Sequence, residues 1–313
     1  MSPDKLHTII KDFSTEIGFV AYGAIAVKEF LKETEFLTRS IEHSYNGSMK
    51  YLARNINIRQ NPQFLLEGAK SMMVFLAPYK PLVSQSKEFP LISSYAYGRD
   101  YHQVIKDKLH KVGEKLKESI PVAKYRAFTD SAPIFERAAA EAAGLGFIGR
   151  NTFLINKDHG LHTLIGVIIT DAVLHYNNEV VKNGCGTCTR CLDNCPTGAL
   201  VEQFSLDSRR CISYQTIEDK SMFEEQLFKT DRKGRVFGCE ICLEVCPWSI
   251  KGESSKWDEF KPFATLNGKT SISLTSQEWL NMQEAEFNAI FKHSPLKRAG
   301  LIKIKDNIVN SQL

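Results

Sequence analysis

The chain has 313 residues, 43% of them hydrophobic and 24% charged, with a formal net charge of +4. That is the composition of a soluble globular protein long enough for one large domain or two ordinary ones, and it excludes a low-complexity or repeat architecture. The mild basic excess permits nucleic acid without pointing to it.

In chain order, Leu6–Ile17 reads as an amphipathic helix leading into GFVAYGAIAV, a buried strand. Residues 28–54 read as helical, with charge spread along KEFLKETEFLTRSIEHS. SMMVFLAP (71–78) is a second strand, stopped by Pro78 and Pro81, and 101–119 places Val104, Leu109, Val112 and Leu116 on one helical face. TDSAPIFERAAAEAAGLG predicts a helix with Asp130 or Ser131 as N-cap, Pro133 in its first turn and Gly144 at its end. HTLIGVIIT (162–170) is a third strand, and 254–313 is mixed and partly helical. Helices interspersed with apolar strands point to an α/β or α+β domain. The longest apolar runs are too short to span a bilayer, and MSPDKLHTII lacks the features of a secretory signal. The expected location is therefore cytoplasmic, where clustered thiols bind metal more readily than they form disulfides.

All eight cysteines fall between Cys185 and Cys246. CGTCTRCLDNCP places Cys185, Cys188, Cys191 and Cys195 as C-x2-C-x2-C-x3-C-P, CEICLEVCP places Cys239, Cys242 and Cys246 as C-x2-C-x3-C-P, and Cys211 stands between them. The first pattern is that of ferredoxins with two 4Fe–4S clusters, in which the fourth cysteine ligates the other cluster. Crossing the ligands in this way gives one cluster Cys185, Cys188, Cys191 and Cys246, and the other Cys195, Cys211, Cys239 and Cys242. Structural zinc and disulfides are the alternatives; zinc knuckles lack the third cysteine followed by C-P. Such clusters pass single electrons, so this segment is an electron relay.

Three further motifs are weaker. Gly144, Gly146 and Gly149 spell G-x-G-x-x-G but follow a helix instead of a strand, the wrong order for a dinucleotide site. Asp100-Tyr101-His102 opens like the cobalt-ligating D-x-H-x-x-G, yet Ile105 stands where glycine is needed, leaving His102 a hydrogen-bonded structural residue. Asp130 is either a helix cap or a proton donor.

Several stretches together resemble the epoxyqueuosine reductase family: YLARNINIRQNPQFLLEGAKSM, YAYGRDYH, DSAPIFERAAAEAAGLGFIGRNTFLI, CGTCTRCLDNCPTGAL, RRCISYQTIE and FGCEICLEVCPWS. They run from about residue 49 to 250, with Phe147 and Arg150 where the family more often has Trp and Lys. The resemblance implies an α+β fold: an α/β cobalamin-binding domain (1–178), a ferredoxin-like domain with two 4Fe–4S clusters (179–253), and a C-terminal segment (254–313) packed on the core. It implies a short form, without the helical-repeat domain of longer members.

The implied activity is reduction of epoxyqueuosine in tRNA to queuosine, with Asp130 as the acid that protonates the opening epoxide. Cobalamin is held without a protein histidine on cobalt, and its expected contacts are Arg59, Tyr97, Asp130, Asn151, Gly160, Ser213 and Gln215. The implied partners are a tRNA anticodon stem-loop, met by Lys297 and Arg298, and an external electron donor, with the protein acting as a monomer. A reductive dehalogenase-like enzyme and a plain ferredoxin-type carrier are the rival readings. The first usually carries an export signal, and the second leaves the N-terminal domain unexplained.

Overall fold

A computed structural model describes residues 1–176, 179–265 and 268–311. The N-terminal part contains α1 (Pro3–Glu16), β1 (Ala21–Ala26), α2 (Leu31–Glu42), α3 (Ile56–Gln60), β2 (Ser71–Pro78), β3 (Leu91–Ile92), α4 (Tyr101–Ser119), β4 (Tyr125–Phe128), α5 (Glu136–Ala142), β5 (Phe147–Ile148), β6 (Leu154–Ile155) and β7 (Thr163–Thr170). The cysteine-bearing part adds α6 (Arg190–Asp193), α7 (Ile212–Ile217), β8 (Arg235–Phe237) and α8 (Ile241–Glu244). The chain continues with α9 (Ser276–Asn281), α10 (Glu284–Ile290) and α11 (Leu301–Val309). The expected boundary at 178 falls on residues 177–178, which lie outside the described residues, as do 266–267 and 312–313.

Four strands form a sheet in the order β1-β2-β7-β4, every pair antiparallel. Of the two expected descriptions of the domain, α+β therefore fits. All eight residues of β2 are buried, because both faces of the sheet are covered. Met73, Phe75 and Ala77 face a core with Leu6 and Ile10 of α1 and Val104, Leu109, Val112 and Leu116 of α4. The alternate residues Met72, Val74 and Leu76 face a second core with Phe30, Ile134 and the small Ala139 and Ala140 of α5. Period-2 alternation in the strand and 3.6-residue spacing in the helices thus meet as the sequence patterns require.

Two expected helices are shorter than anticipated. The run 28–54 is α-helical only over Leu31–Glu42, with one 3-10 turn at Lys50–Leu52, since Ser44 (φ 58°), Gly47 (φ 54°) and Asn55 (φ 57°) adopt left-handed conformations that no α-helix can continue. Tertiary contact fixes that break: the Ser48 N–H donates to the Tyr214 hydroxyl at 2.7 Å, pinning this loop to α7. The helix expected to begin at Asp130 or Ser131 begins instead at Glu136, so neither residue is its N-cap. Gly144 does end it, at φ 74°, followed by β5, so the glycine triplet is a helix stop.

The C-terminal segment builds a third core, with Trp279, Phe287, Phe291, Ile304 and Ile308 packed on Ile92, Tyr97, Ile217 and Phe237. Asn307 of α11 donates to the carbonyls of Thr216 and Val236 at 3.0 and 2.8 Å, and accepts from the buried Arg232 at 2.7 Å. These bonds fasten α11 against α7 and β8. Among the described residues no helix is long and apolar enough to cross a membrane.

Candidate active site

The eight cysteines are all free thiols, gathered where α6, α7 and α8 and their flanking turns converge. Their mutual electrostatic influence shows which of them are neighbours. Cys191 feels Cys185 and Cys246, and Cys246 feels Cys185 and Cys188. Cys239 feels Cys211 and Cys195, and Cys242 feels Cys239, Cys211 and Cys195 most and Cys191 of the other group least. Cys246, last in sequence, thus sits with the first group, and Cys195 with the last. Burial, followed by the neighbouring thiols, pushes Cys239 up to about 12. Such a set ionises readily only when iron supplies compensating charge. Backbone N–H groups also point at sulfur, as from Ala199 to Cys195 at 3.3 Å. Among the described residues no three His, Cys, Asp or Glu side chains converge to hold a single ion; a cubane takes its four thiolates at separate corners. The donor set therefore fits two 4Fe–4S clusters.

From Cys211, α7 leads to Glu218, whose partner Arg298 senses Asp130. The Asp130 side chain is 65% exposed, yet the surrounding protein desolvates it. Asp100 caps α4 by accepting the His102 N–H at 3.0 Å, and this cap places Tyr101 and His102 in the first helical turn. The Tyr101 hydroxyl donates to Asp130 Oδ2 at 2.5 Å, and His102 Nε2 stands 3.6 Å from the same oxygen. His102 Nδ1 lies 2.7 Å from Asp100 Oδ1, and its ring stacks on Tyr101 at 4.1 Å. Asp130 itself is left-handed (φ 48°), and its N–H donates to Glu136 Oε1 at 2.7 Å.

These contacts set the charge states. Burial disfavours the Asp130 carboxylate, but the hydrogen bonds of His102 and Tyr101, with help from Arg137, hold it below its ordinary range. Burial alone would lower the pKa of His102, yet the carboxylates of Asp100 and Asp130 push it up to about 9. Glu136 is pushed up to about 8 by burial and by the charge of Asp130. At neutral pH the site therefore holds an ionised Asp130 between two proton-bearing groups. Tyr51 and Arg298 each sense Asp130, and Arg298 pairs with Glu218 through two bonds of 2.5 and 2.7 Å.

The residues expected to contact cobalamin are distributed unevenly. Arg59 shares the site, sensing Glu136, Tyr51 and Asp130, and its buried Nε has no partner. Asn151 is buried and donates to the Cys242 carbonyl at 3.3 Å, while Ser213 is half-buried on α7. Gln215 is also buried, its side chain engaged by the Arg209 carbonyl and the Thr230 hydroxyl. A side chain at Gly160 (φ 68°) would strike the Trp248 carbonyl oxygen, so this glycine packs closely against the segment that follows Cys246. Tyr97 lines a separate pocket of about 230 Å³ with Cys239, His162 and Lys80. The orphaned Arg59 donor beside an exposed carboxylate suits a corrinoid with carboxamide arms. Lys297 and Arg298 part company: Lys297 donates to Asn288, whereas Arg298 turns to Glu218. The sequence reading missed Tyr101 and Glu136, and assigned His102 a structural role only. The adjacency of Asp100, Tyr101 and His102 at a helix start was the available signal.

Residues 184–249 match the family described as "4Fe-4S double cluster binding domain", and residues 59–131 that described as "Epoxyqueuosine reductase QueG, DUF1730". The epoxyqueuosine reductase of Cyclobacterium marinum is 40% identical over 302 residues, covering 95% of this chain and 94% of its own. That of Pseudomonas aeruginosa is 36% identical over 304 residues, covering 95% and 82%. An epoxyqueuosine reductase crystallised with a tRNA-Tyr epoxyqueuosine-modified stem loop superposes with a TM-score of 0.86, at 24% identity, over 98% of this chain and 80% of that one. The last is a likeness of fold.

Proposed function

The chain belongs to the epoxyqueuosine reductase family, and on that premise we propose that it reduces epoxyqueuosine in tRNA to queuosine. The epoxide loses its oxygen as water, the two ring carbons become an alkene, and the change consumes two electrons and two protons. When bound, two 4Fe–4S clusters and cobalamin supply the electrons and the reduction at carbon. Cys185, Cys188, Cys191 and Cys246 hold one cluster, and Cys195, Cys211, Cys239 and Cys242 the other. Arg59 is the protein donor that would hold the corrinoid beside Asp130.

The observation that carries this reading is the cluster of proton-bearing groups, Tyr101 and His102, gathered on the exposed Asp130 carboxylate. Opening an epoxide places negative charge on oxygen, and an acid at that oxygen lowers the barrier. Asp130 is the group at the surface. Asp130 is ionised at rest, so the proton delivered to the oxygen is drawn through it from His102, which is charged at neutral pH, and the Tyr101 hydroxyl keeps the carboxylate aimed. A plain electron carrier has no use for such groups. The protein is proposed to act as a cytoplasmic monomer fed by an external one-electron donor.

The test is anaerobic turnover of the cluster- and cobalamin-loaded protein with epoxyqueuosine-containing tRNA and a chemical reductant, followed by nucleoside analysis. Queuosine is the expected product; its absence with all cofactors loaded would overturn the reading.

A further inference from the structure

Beside the same site, where Asp100 caps α4, lies a pocket of about 250 Å³ lined by Arg99, Asp100, Gln103, Lys292, His293 and Lys297, among others. Its two walls come from distant parts of the sequence. They are pinned together by the Asp100 N–H, which donates to the His293 carbonyl at 2.6 Å. Neither the Arg99 guanidinium nor the Lys292 ammonium has a side-chain hydrogen-bond or ion-pair partner among the described residues. Lys297 contributes a third cation, bonded to the neutral amide of Asn288 and standing over the Phe287 ring. Asp100 is the one carboxylate in the lining, and its Oδ1 is turned to the ring and N–H of His102. Cations gathered around one concavity repel each other until an anion sits between them. A guanidinium and an ammonium on opposing walls match the oxygens of a phosphate.

We propose that this pocket grips a backbone phosphate of the substrate RNA next to the nucleotide being reduced. The proposal rests on tRNA being the substrate. Its place in the fold gives the contact a purpose. Asp100 links the pocket to His102 at 2.7 Å, and His102 faces Asp130 at 3.6 Å, so a phosphate held here lies one side chain away from the acid. Phosphate contacts carry register more than base identity, and this one would set how far the modified base reaches toward Asp130.

The experiment uses the loaded enzyme with Arg99→Ala, Lys292→Ala, the double variant, and Arg99→Lys as the charge-conserving control. Two quantities are read: KM and kcat on an epoxyqueuosine-containing stem-loop, and Kd for the same stem-loop without reductant, each across a salt series. In the double variant KM and Kd are expected to rise together, about 10- to 100-fold, with the loss in KM and not in kcat. The salt slope should flatten by about one unit, and Arg99→Lys should keep most of the affinity. An unchanged Kd and slope in the double variant overturns the proposal. So does inorganic phosphate that binds the parent protein and not the variant while stem-loop affinity stays the same, since the pocket then takes free anion only. Failure of the parent enzyme to make queuosine would refute the proposed activity instead, and the Kd comparison would still decide the pocket.

Discussion

The Tyr101 hydroxyl donates to Asp130 Oδ2 at 2.5 Å, and this one bond ties the first turn of α4 to the loop ahead of α5. Because Asp130 sits in a left-handed backbone conformation, the loop needs such contacts to stay in place. The Glu136 carboxyl, which accepts the Asp130 N–H, is the second. Asp130 is thus held from both its side chain and its backbone.

Asp130→Asn removes the carboxylate through which the proton passes and keeps the shape. Single-turnover epoxide reduction is expected to slow by about 100- to 10,000-fold with cluster absorbance unchanged. Tyr101→Phe loses one hydrogen bond to an ionised partner, and a smaller loss, on the order of tenfold, is expected. Normal turnover of Asp130→Asn would remove the residue from the mechanism.

The rate should fall on the alkaline side as His102 gives up its proton near pH 9. His102→Gln should abolish that limb of the pH–rate profile. A limb that persists unchanged in the variant would assign the titration to another group.

Stability should also respond to pH. The folded pKa of Glu136, about 8, lies above its ordinary 4.5, so between these values the folded state keeps a proton that the unfolded state has lost. Stability from this group therefore falls as pH rises from about 4.5 to about 8. His102, raised from 6.5 to about 9, contributes stability that is complete below 6.5 and disappears as pH climbs through 9. Glu136→Gln retains an acceptor for the Asp130 N–H but cannot ionise. Its urea midpoint should drop less between pH 5 and pH 8 than that of the parent, and identical drops would count against the buried proton.

The crossed cysteine sets predict which cluster each substitution damages. Cys246→Ser should perturb the cluster of Cys185, Cys188 and Cys191, and Cys195→Ser that of Cys211, Cys239 and Cys242. Each should lower bound iron from about eight toward about four per chain. Electron paramagnetic resonance of the reduced variants distinguishes the two; the same surviving signal in both variants would contradict the crossing.

Phe75 is fully buried in the central strand, stacked on Tyr22 and near Phe19. Phe75→Ala should lower unfolding free energy by about 3–5 kcal/mol, measured by denaturant titration.

Reading the residues in order was enough for β2, α4 and β7, because buried strands and amphipathic helices write their periods into adjacent positions. The clusters were equally legible. A cubane is wrapped by short loops, so Cys185, Cys188 and Cys191 had to stand at fixed spacing, and the crossing rule assigns Cys246 and Cys195 each to the other group. The DSAP block was recognisable, yet Asp130 as a helix cap was not correct. The partners that draw it out of the helix, Tyr101 and Glu136, act through the folded loop and not through helix propensity.

The sequence by itself therefore determined the secondary-structure periods, the cysteine spacing and the family. Only the tertiary structure decided that Tyr101, His102 and Glu136 gather around Asp130, and that Lys297 and Arg298, neighbours in the chain, turn to different partners. The physical reason is range: periodicity and loop spacing are properties of adjacent residues. Charge states and concavities depend on groups tens to hundreds of residues apart, and no local pattern records their meeting.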